Sequence, residues 1–377
     1  MMSATHGGPI TLKPIGEVAE FLKTLIPANM PGSYALKPMF SSIAGEEVIR
    51  RGVIALRDFL YVFCERLISD GQEYAKPPKT PKSMADYPFL HYVTNLMVDI
   101  GYHGKLADGG ESLLVEGIPV FRASVDENGK VTKPKIPVSN QVECLRFLAL
   151  CGFEFGGVDL MAKALNVTEA QALTVSYPND PSLLTGLKAM AVADMELRGR
   201  RYWNDNNLLR CDYRLLKAED TDILDVLKDF LHPLPENIRG FALRLHKRYT
   251  DMGMTCVPII DDQHHFAYSF VKHSKRDLTP RDIYYLRVWE FALSLRYGYC
   301  LVIRAKKTDE YADVIAKFPL RLREMIAKGY GCDRKLRGER CQGGCQGFRI
   351  PLDGSIIDAS CDIETWLDNE MPPSLKK

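Results

Sequence analysis

The sequence has no apolar run of the roughly 20 residues that a membrane-spanning helix needs. Its longest apolar stretch, at 144–155, is interrupted by Arg146 and Glu154. The first residues also lack the basic start and apolar core of a secretion signal. We therefore expect a cytoplasmic protein with no membrane partner, whose ten cysteines are reduced thiols. Four of them lie in apolar periodic segments and are predicted to be buried: Cys64, Cys144, Cys151 and Cys300.

An excess of charge of one sign is missing as well. The chain has 49 lysines and arginines against 48 acidic residues, a formal net charge of +1. Such a balance gives no long-range attraction to nucleic acid or to an anionic membrane. The sequence therefore argues against nucleic acid as a partner, unless a local basic segment such as 321–340 binds it.

The strings that mark common enzyme classes are missing too. The sequence contains no GxSxG nucleophile elbow, P-loop, HExxH zinc motif or GxGxxG dinucleotide turn. It therefore assigns no reaction, and whether the protein is an enzyme stays open at this point.

What the sequence does contain is a mixture of helical and strand-like patterns, which predicts an α+β protein. The clearest helix is Glu46–Ser69, where apolar residues recur three and four positions apart. A strand is predicted at 208–216, and a helix at 279–295 after the capping residue Thr279. We divide the chain into an N-terminal tail with helices and a Pro/Lys connector (1–87), a first α+β repeat (88–217) and a second α+β repeat (218–377).

The division into repeats depends on residues that recur in the same order. Gly152-Phe153 resembles Gly298-Tyr299, and Cys211 matches Cys345, at offsets that shrink along the chain. Because a shared order of elements accompanies these matches, we predict an internal duplication. The first three matches, at an offset of 152, pair Phe89, Asp99 and Gly101 with Phe241, Asp251 and Gly253.

Aromatic residues are frequent in the second repeat, and aromatic walls with a few polar groups are typical of small-molecule pockets. We predict such a pocket near the junction of the repeats or within the second one. Its expected lining residues are Tyr268, Trp289, Tyr297, Tyr299 and His265. Packing in the hydrophobic core is the competing interpretation of these rings.

Cysteine and glycine are concentrated between residues 331 and 347. Thiolates on a flexible chain suit tetrahedral zinc, so Cys332, Cys341 and Cys345 are candidate metal ligands. The spacing supports this weakly, because there is no second close pair of cysteines. Alternatively, neighbouring arginines and lysines lower a thiol pKa, and Cys332 or Cys345 acts as a nucleophile.

Three functions follow from these features. Small-molecule binding is the main prediction. A zinc-stabilised protein- or nucleic-acid-interaction module and an enzyme with a cysteine nucleophile are the alternatives.

Three segments carry a resemblance to known sequences: 173–179 (LTVSYPN), 184–188 (LTGLK) and 328–335 (KGYGCDRK). In these the chain resembles an uncharacterised family of bacterial cytosolic proteins of duplicated α+β build. The resemblance implies a bacterial, cytoplasmic protein, and it implies no activity, substrate or site residue.

Overall fold

A computed structural model describes residues 10–116, 124–125, 131–132, 136–163, 172–197, 206–260, 264–270, 286–305, 308–328 and 347–371. These residues form helices and antiparallel sheets, which confirms the α+β class. They fall into two compact units, here called the first unit (Ile10–Thr221) and the second unit (from Asp222). The N-terminal helices, expected as an extension, lie inside the first unit.

The first unit contains five main helices and a four-stranded antiparallel sheet. Its helices are α1 (Ile15–Leu25), α2 (Glu46–Ser69), α3 (Pro88–His103), α4 (Val138–Leu150) and α5 (Ser182–Leu197), with short helical turns at Pro38–Ser42, Gly71–Tyr74, Asp108–Gly110, Asn206–Leu209 and Tyr213–Leu215. Its strands are β1 (Lys105–Ala107), β2 (Ser112–Val115), β3 (Ser124–Val125), β4 (Val131–Thr132), β5 (Glu154–Gly156) and β6 (Leu173–Ser176). The sheet has the order β1-β2-β6-β5, and β3 pairs separately with β4.

Helices α2 and α5 cross so closely that their backbones touch. A Cβ atom built on Gly186 of α5 would lie 2.0 Å from the carbonyl oxygen of Gly52 in α2. A Cβ atom on Gly52 would lie 2.4 Å from the carbonyl oxygen of Ser182. Since real Cβ atoms do not approach backbone this closely, the crossing requires glycine on both helices.

Two residues further along α5, Lys188 holds the end of α3. Its ammonium group donates a hydrogen bond to the carbonyl oxygen of Gly104, at 2.6 Å, and lies 3.5 Å from those of Gly101 and Tyr102. A cation here complements the partial negative charge at a helix C-terminus. The segment 184–188 is thus explained by packing inside the first unit.

The second unit is built on a five-stranded antiparallel sheet of order β11-β10-β9-β8-β7, with β9 in the middle. Its strands are β7 (Thr255–Ile260), β8 (His264–Ser269), β9 (Trp289–Ser294), β10 (Gly298–Ile303) and β11 (Phe348–Pro351). Its main helices are α6 (Ile223–Leu231), α7 (Glu236–Asp251), α8 (Leu320–Lys328) and α9 (Ser360–Glu370), with short helical turns at Thr308–Tyr311, Ala312–Ile315 and Gly354–Asp358.

Helices α6, α7 and α9 cover one face of this sheet through aromatic contacts. Phe230 of α6 packs on Phe266, with ring centroids 4.9 Å apart, and Tyr249 of α7 packs on Trp289 at 5.5 Å. Trp366 of α9 contacts Phe348 at 5.2 Å. This side of the sheet, here called the aromatic face, is the hydrophobic core of the second unit.

Two predicted elements are wrong. Residues 289–294, expected at the end of a helix, form the central strand β9. The predicted strand at 208–216 is instead a short helix followed by a 3₁₀ turn. Cys211 lies between these turns with φ +46°, and the Asp212 carboxylate accepts a hydrogen bond from the backbone N–H of Arg214, so the chain turns instead of extending.

The structure does not confirm the predicted internal duplication. In the first sheet the second strand, β2, pairs with the last strand, β6, whereas in the other sheet the second strand, β8, pairs with the third, β9. Matched residues also differ in setting. Gly101 lies within α3 against Leu187, while its expected counterpart Gly253 follows the end of α7 with φ +92°.

The α2–α5 crossing gives a first prediction. Gly186→Ala places a methyl group in the backbone of α2, so we expect a loss of about 1–3 kcal/mol or more in the free energy of unfolding. Gly16→Ala is the matched control, because Gly16 lies in α1 with no atom near its added Cβ and alanine favours helix. Urea unfolding followed by far-UV circular dichroism measures both. Equal midpoints for the two variants would show that the backbones do not touch.

Candidate functional site

The central strand β9 has two buried faces of opposite chemistry. Trp289, Phe291 and Leu293 point to the aromatic face, and the alternating residues Glu290, Ala292 and Ser294 point to the other. All six residues are buried. The second face is here called the polar face, because its central residue is a carboxylate.

Glu290 lies in the middle of the polar face and is completely buried. Its Oε2 atom lies 2.8 Å from Nε of Arg287 and 3.2 Å from Nδ1 of His265. Its Oε1 atom accepts a hydrogen bond from Arg304 at 3.0 Å. The three partners are themselves buried. The arrangement is therefore a buried ionic cluster at the centre of a sheet.

Opposing effects set the protonation of this carboxylate. Burial acts to raise the pKa of Glu290, because it disfavours the charged form. The close contact and charge of His265, followed by the charges of Arg287 and Arg304, outweigh burial and lower that pKa to about 2. Glu290 is therefore ionised at neutral pH and supplies the negative charge that its basic neighbours share.

The strand register places small side chains around the cluster. Ala267 of β8 stands opposite Glu290, and Ala292 lies between His265 of β8 and Cys300 of β10. Ser269 and Ser294, also buried, complete this part of the face. On the β10 side, Val302 stands opposite Glu290 and packs with Ala292 and Cys300.

Arg349 and Tyr297 mark the outer end of the polar face. Arg349 of β11 stands opposite Val302, which stands opposite Glu290, so all three share one row and one face. The guanidinium carbon of Arg349 lies 4.4 Å from the ring centroid of Tyr297, which is 43% exposed. Arg349 itself is partly exposed. The polar face thus runs from a solvent-accessible end to a buried centre.

Cys300 lies beside Arg349 on the same face. Burial raises the pKa of the Cys300 thiol, and the charge and hydrogen bond of Arg349 only partly oppose this effect. The net shift is upward, so Cys300 is a neutral thiol at neutral pH. The described geometry therefore gives this cysteine the character of a packing residue rather than of a nucleophile.

The residues predicted to line a pocket are divided between the two faces. Tyr268 and Trp289 are completely buried on the aromatic face and stack with ring centroids 3.6 Å apart. The Tyr299 hydroxyl donates to the carbonyl oxygen of Phe230 at 2.9 Å. These three rings are core, because alternate strand residues point to opposite sides. His265 and Tyr297 lie at the polar face, as parts of the two features described above.

The predicted metal ligands Cys332, Cys341 and Cys345 lie outside the described residues, and zinc binding there stays a prediction. Within the described part of the chain, no group of three or more histidine, cysteine or acidic side chains is placed to hold a metal ion. The four cysteines predicted to be buried, Cys64, Cys144, Cys151 and Cys300, are buried free thiols.

Comparisons with models of protein families, with curated proteins and with solved structures found no match to this chain. Among the described residues, no helix has both the length and the apolar character needed to cross a membrane.

Sequence reasoning missed the residues that hold His265. Glu290 interrupts an otherwise apolar run, and it is flanked by Arg287 before it and Arg304 after it. The available signal was the single carboxylate within this run. Charged residues are almost never fully buried unless they are paired, so such a carboxylate indicates basic partners nearby. The misassigned helix hid the alternation that places Glu290 opposite the aromatic residues.

The ionic cluster gives a second prediction. Glu290→Gln removes the charge shared by Arg287 and Arg304, and removing one partner of a buried ion pair costs about 3–5 kcal/mol. Because the folded-state pKa is depressed, the stabilisation from Glu290 is present above its ordinary pKa of 4.5 and is lost as pH falls toward 2. We therefore expect wild type to lose stability over this interval more steeply than Glu290→Gln.

Urea unfolding midpoints measured across that pH interval test this expectation. Glu324→Gln is the matched control, since this substitution makes the same chemical change at an exposed position of α8. Identical pH profiles for wild type and Glu290→Gln would show that the carboxylate is not held ionised by its basic neighbours.

Proposed function

We propose that the second unit binds a small polar molecule at the polar face of its five-stranded sheet. The observation that supports this proposal most directly is the completely buried Glu290. It is held by His265, Arg287 and Arg304 among small side chains. Small-molecule sites combine a mostly apolar lining with a few precisely placed polar or charged groups, and this face has both kinds of side chain.

The energetics support a functional reason for the cluster. Taking several charges out of water is unfavourable, and apolar residues of similar volume often give an equal or greater stability. The aromatic face of the same strand shows that the sheet already has an apolar core in Trp289 and Phe291. A carboxyl group whose pKa is strongly shifted by specific charged partners, as that of Glu290 is, occurs frequently at functional sites.

Binding, and not cysteine chemistry, is the function that the described residues favour. The raised pKa of Cys300 keeps its sulfur protonated, and a thiolate is the reactive form. A nucleophilic Cys332 or Cys345 stays a separate hypothesis outside the described residues. The proposal also places the ligand within the second unit, so it does not depend on a duplicated ancestor.

Two broader inferences accompany the proposal. We infer a cytoplasmic location, supported by the seven cysteines of the described residues, all of which are free thiols. A common origin of the two units rests on the recurring residues alone, and superposition of 88–217 on 237–353 tests it.

Thermal unfolding in the presence of defined probes tests the binding function. The probes are inorganic phosphate, succinate, succinamide, glucose and glucose 6-phosphate, each at a concentration of several millimolar, on the full chain. A ligand present at 100 times its Kd stabilises the folded state by about 2.7 kcal/mol. For a unit of this size that amounts to a rise of about 5–10 °C in Tm.

We expect at least one probe to raise the Tm of wild type and of Glu324→Gln, and to have a much smaller effect on Glu290→Gln. Ala292→Val is a second test variant, because it adds bulk to the polar face without altering any charge. Absence of stabilisation by all five probes contradicts the proposal, as does stabilisation that survives unchanged in both test variants.

A further inference from the structure

We propose, on the basis of the binding function above, that the ligand carries an oxyanion group, a carboxylate or a phosphate, and that Arg349 binds it. The proposal starts from the charge on the polar face. The arginines Arg287 and Arg304 share the carboxylate of Glu290. Among the described residues that the strand register places on this face, Glu290 is the one carboxylate.

Arg349 has no carboxylate within salt-bridge distance among the described residues. Its contacts there are the thiol of Cys300 and the ring of Tyr297. Neither contact neutralises a positive charge. A partly buried guanidinium that keeps its charge and most of its five N–H donors is suited to accept an anion from solution.

Tyr297 prepares this guanidinium for binding. An arginine packed on an aromatic ring is held by cation–π attraction and loses less rotational freedom when it binds. The ring covers one face of the guanidinium and leaves the N–H edge, which is the part that forms paired hydrogen bonds with a carboxylate or phosphate. The 43% exposure of Tyr297 shows that solvent, and hence a ligand, reaches this end of the polar face.

The strand register also limits the size of the ligand. Arg349 and Glu290 are separated by one strand, β10, which corresponds to about 10 Å between their backbones. A molecule with an anionic group at Arg349 therefore needs only a few further atoms to extend across Val302 in the direction of Glu290. Small carboxylates and sugar phosphates have these dimensions.

Two pairs of probes isolate the anionic group. Succinate and succinamide have similar shapes but differ in charge, and glucose 6-phosphate differs from glucose by its phosphate. Affinities are measured by isothermal titration calorimetry on the full chain. We expect an anionic member to bind wild type at least tenfold more tightly than its neutral partner, because hydrogen bonds to charged groups are the stronger ones.

Arg349→Met is expected to lose about tenfold or more in affinity for the anionic probe, and Arg349→Lys to recover part of it. Arg296→Met is the matched control, since Arg296 also packs on Tyr297, at 5.0 Å, but is exposed. Circular dichroism confirms that each variant is folded, and Arg349→Lys keeps the test valid if the methionine variant is not.

The outcomes separate this inference from the binding function. If neutral and anionic probes bind equally and Arg349→Met matches wild type, the oxyanion assignment is wrong while small-molecule binding stands. If Arg296→Met loses as much affinity as Arg349→Met, the loss arises from disturbing the Tyr297 ring, on which both arginines pack, and the assignment is again wrong. If no probe binds wild type, both proposals fail.

Discussion

A carboxylate can lie in the middle of the second sheet because basic groups from three positions in the chain meet it there. Arg287 precedes β9, His265 comes from β8 and Arg304 follows β10. Pairing of β8, β9 and β10 in this register is therefore a condition for burying the charge. A slip of one residue would turn Glu290 toward the aromatic face and away from these three partners. The ionic cluster thus also specifies the register of the central strand.

The same strand explains why the unit has two kinds of interior. Its aromatic residues provide apolar burial, and their stacking fixes side chains such as Tyr268 against Trp289. With stability supplied on that side, the opposite side can carry charges and small residues that contribute less to packing. We therefore place the proposed ligand site on the polar face, because its charged side chains are not part of the apolar core.

Much of the first unit could be predicted from local patterns. Helix α2 has the predicted bounds Glu46–Ser69, because its apolar residues repeat with helical spacing along one buried face. In contrast, the contact of Gly52 with Gly186 joins helices 134 positions apart. No local sequence pattern predicts such a contact. The need for glycine at position 186 is explained only by the fold, in which α2 packs against it.

Strand β9 shows a different limit. A half-buried strand reveals itself by alternating apolar and polar residues, but β9 is buried on both faces, so its large apolar residues alternate with one carboxylate, Glu290, and two small residues. Such a run does not distinguish a strand from a buried helix by periodicity alone. The site was consequently missed together with the strand, since Glu290 belongs to a cluster only when β8 and β10 lie on either side of it.

The recurring residues illustrate that a shared order along a sequence does not ensure a shared local structure. Asp99 is buried in α3, whereas Asp251 is an exposed residue at the end of α7. Gly152 turns the chain into β5 with φ +105°, and Gly298 begins β10 after a tight turn with φ +63°. Glycine recurs after helices and before strands in many α+β proteins because both places need positive φ. Matches of this kind also arise from shared local geometry, so they do not by themselves confirm an internal duplication. Strand order, which differs between the two sheets, is the stricter criterion for a common ancestor.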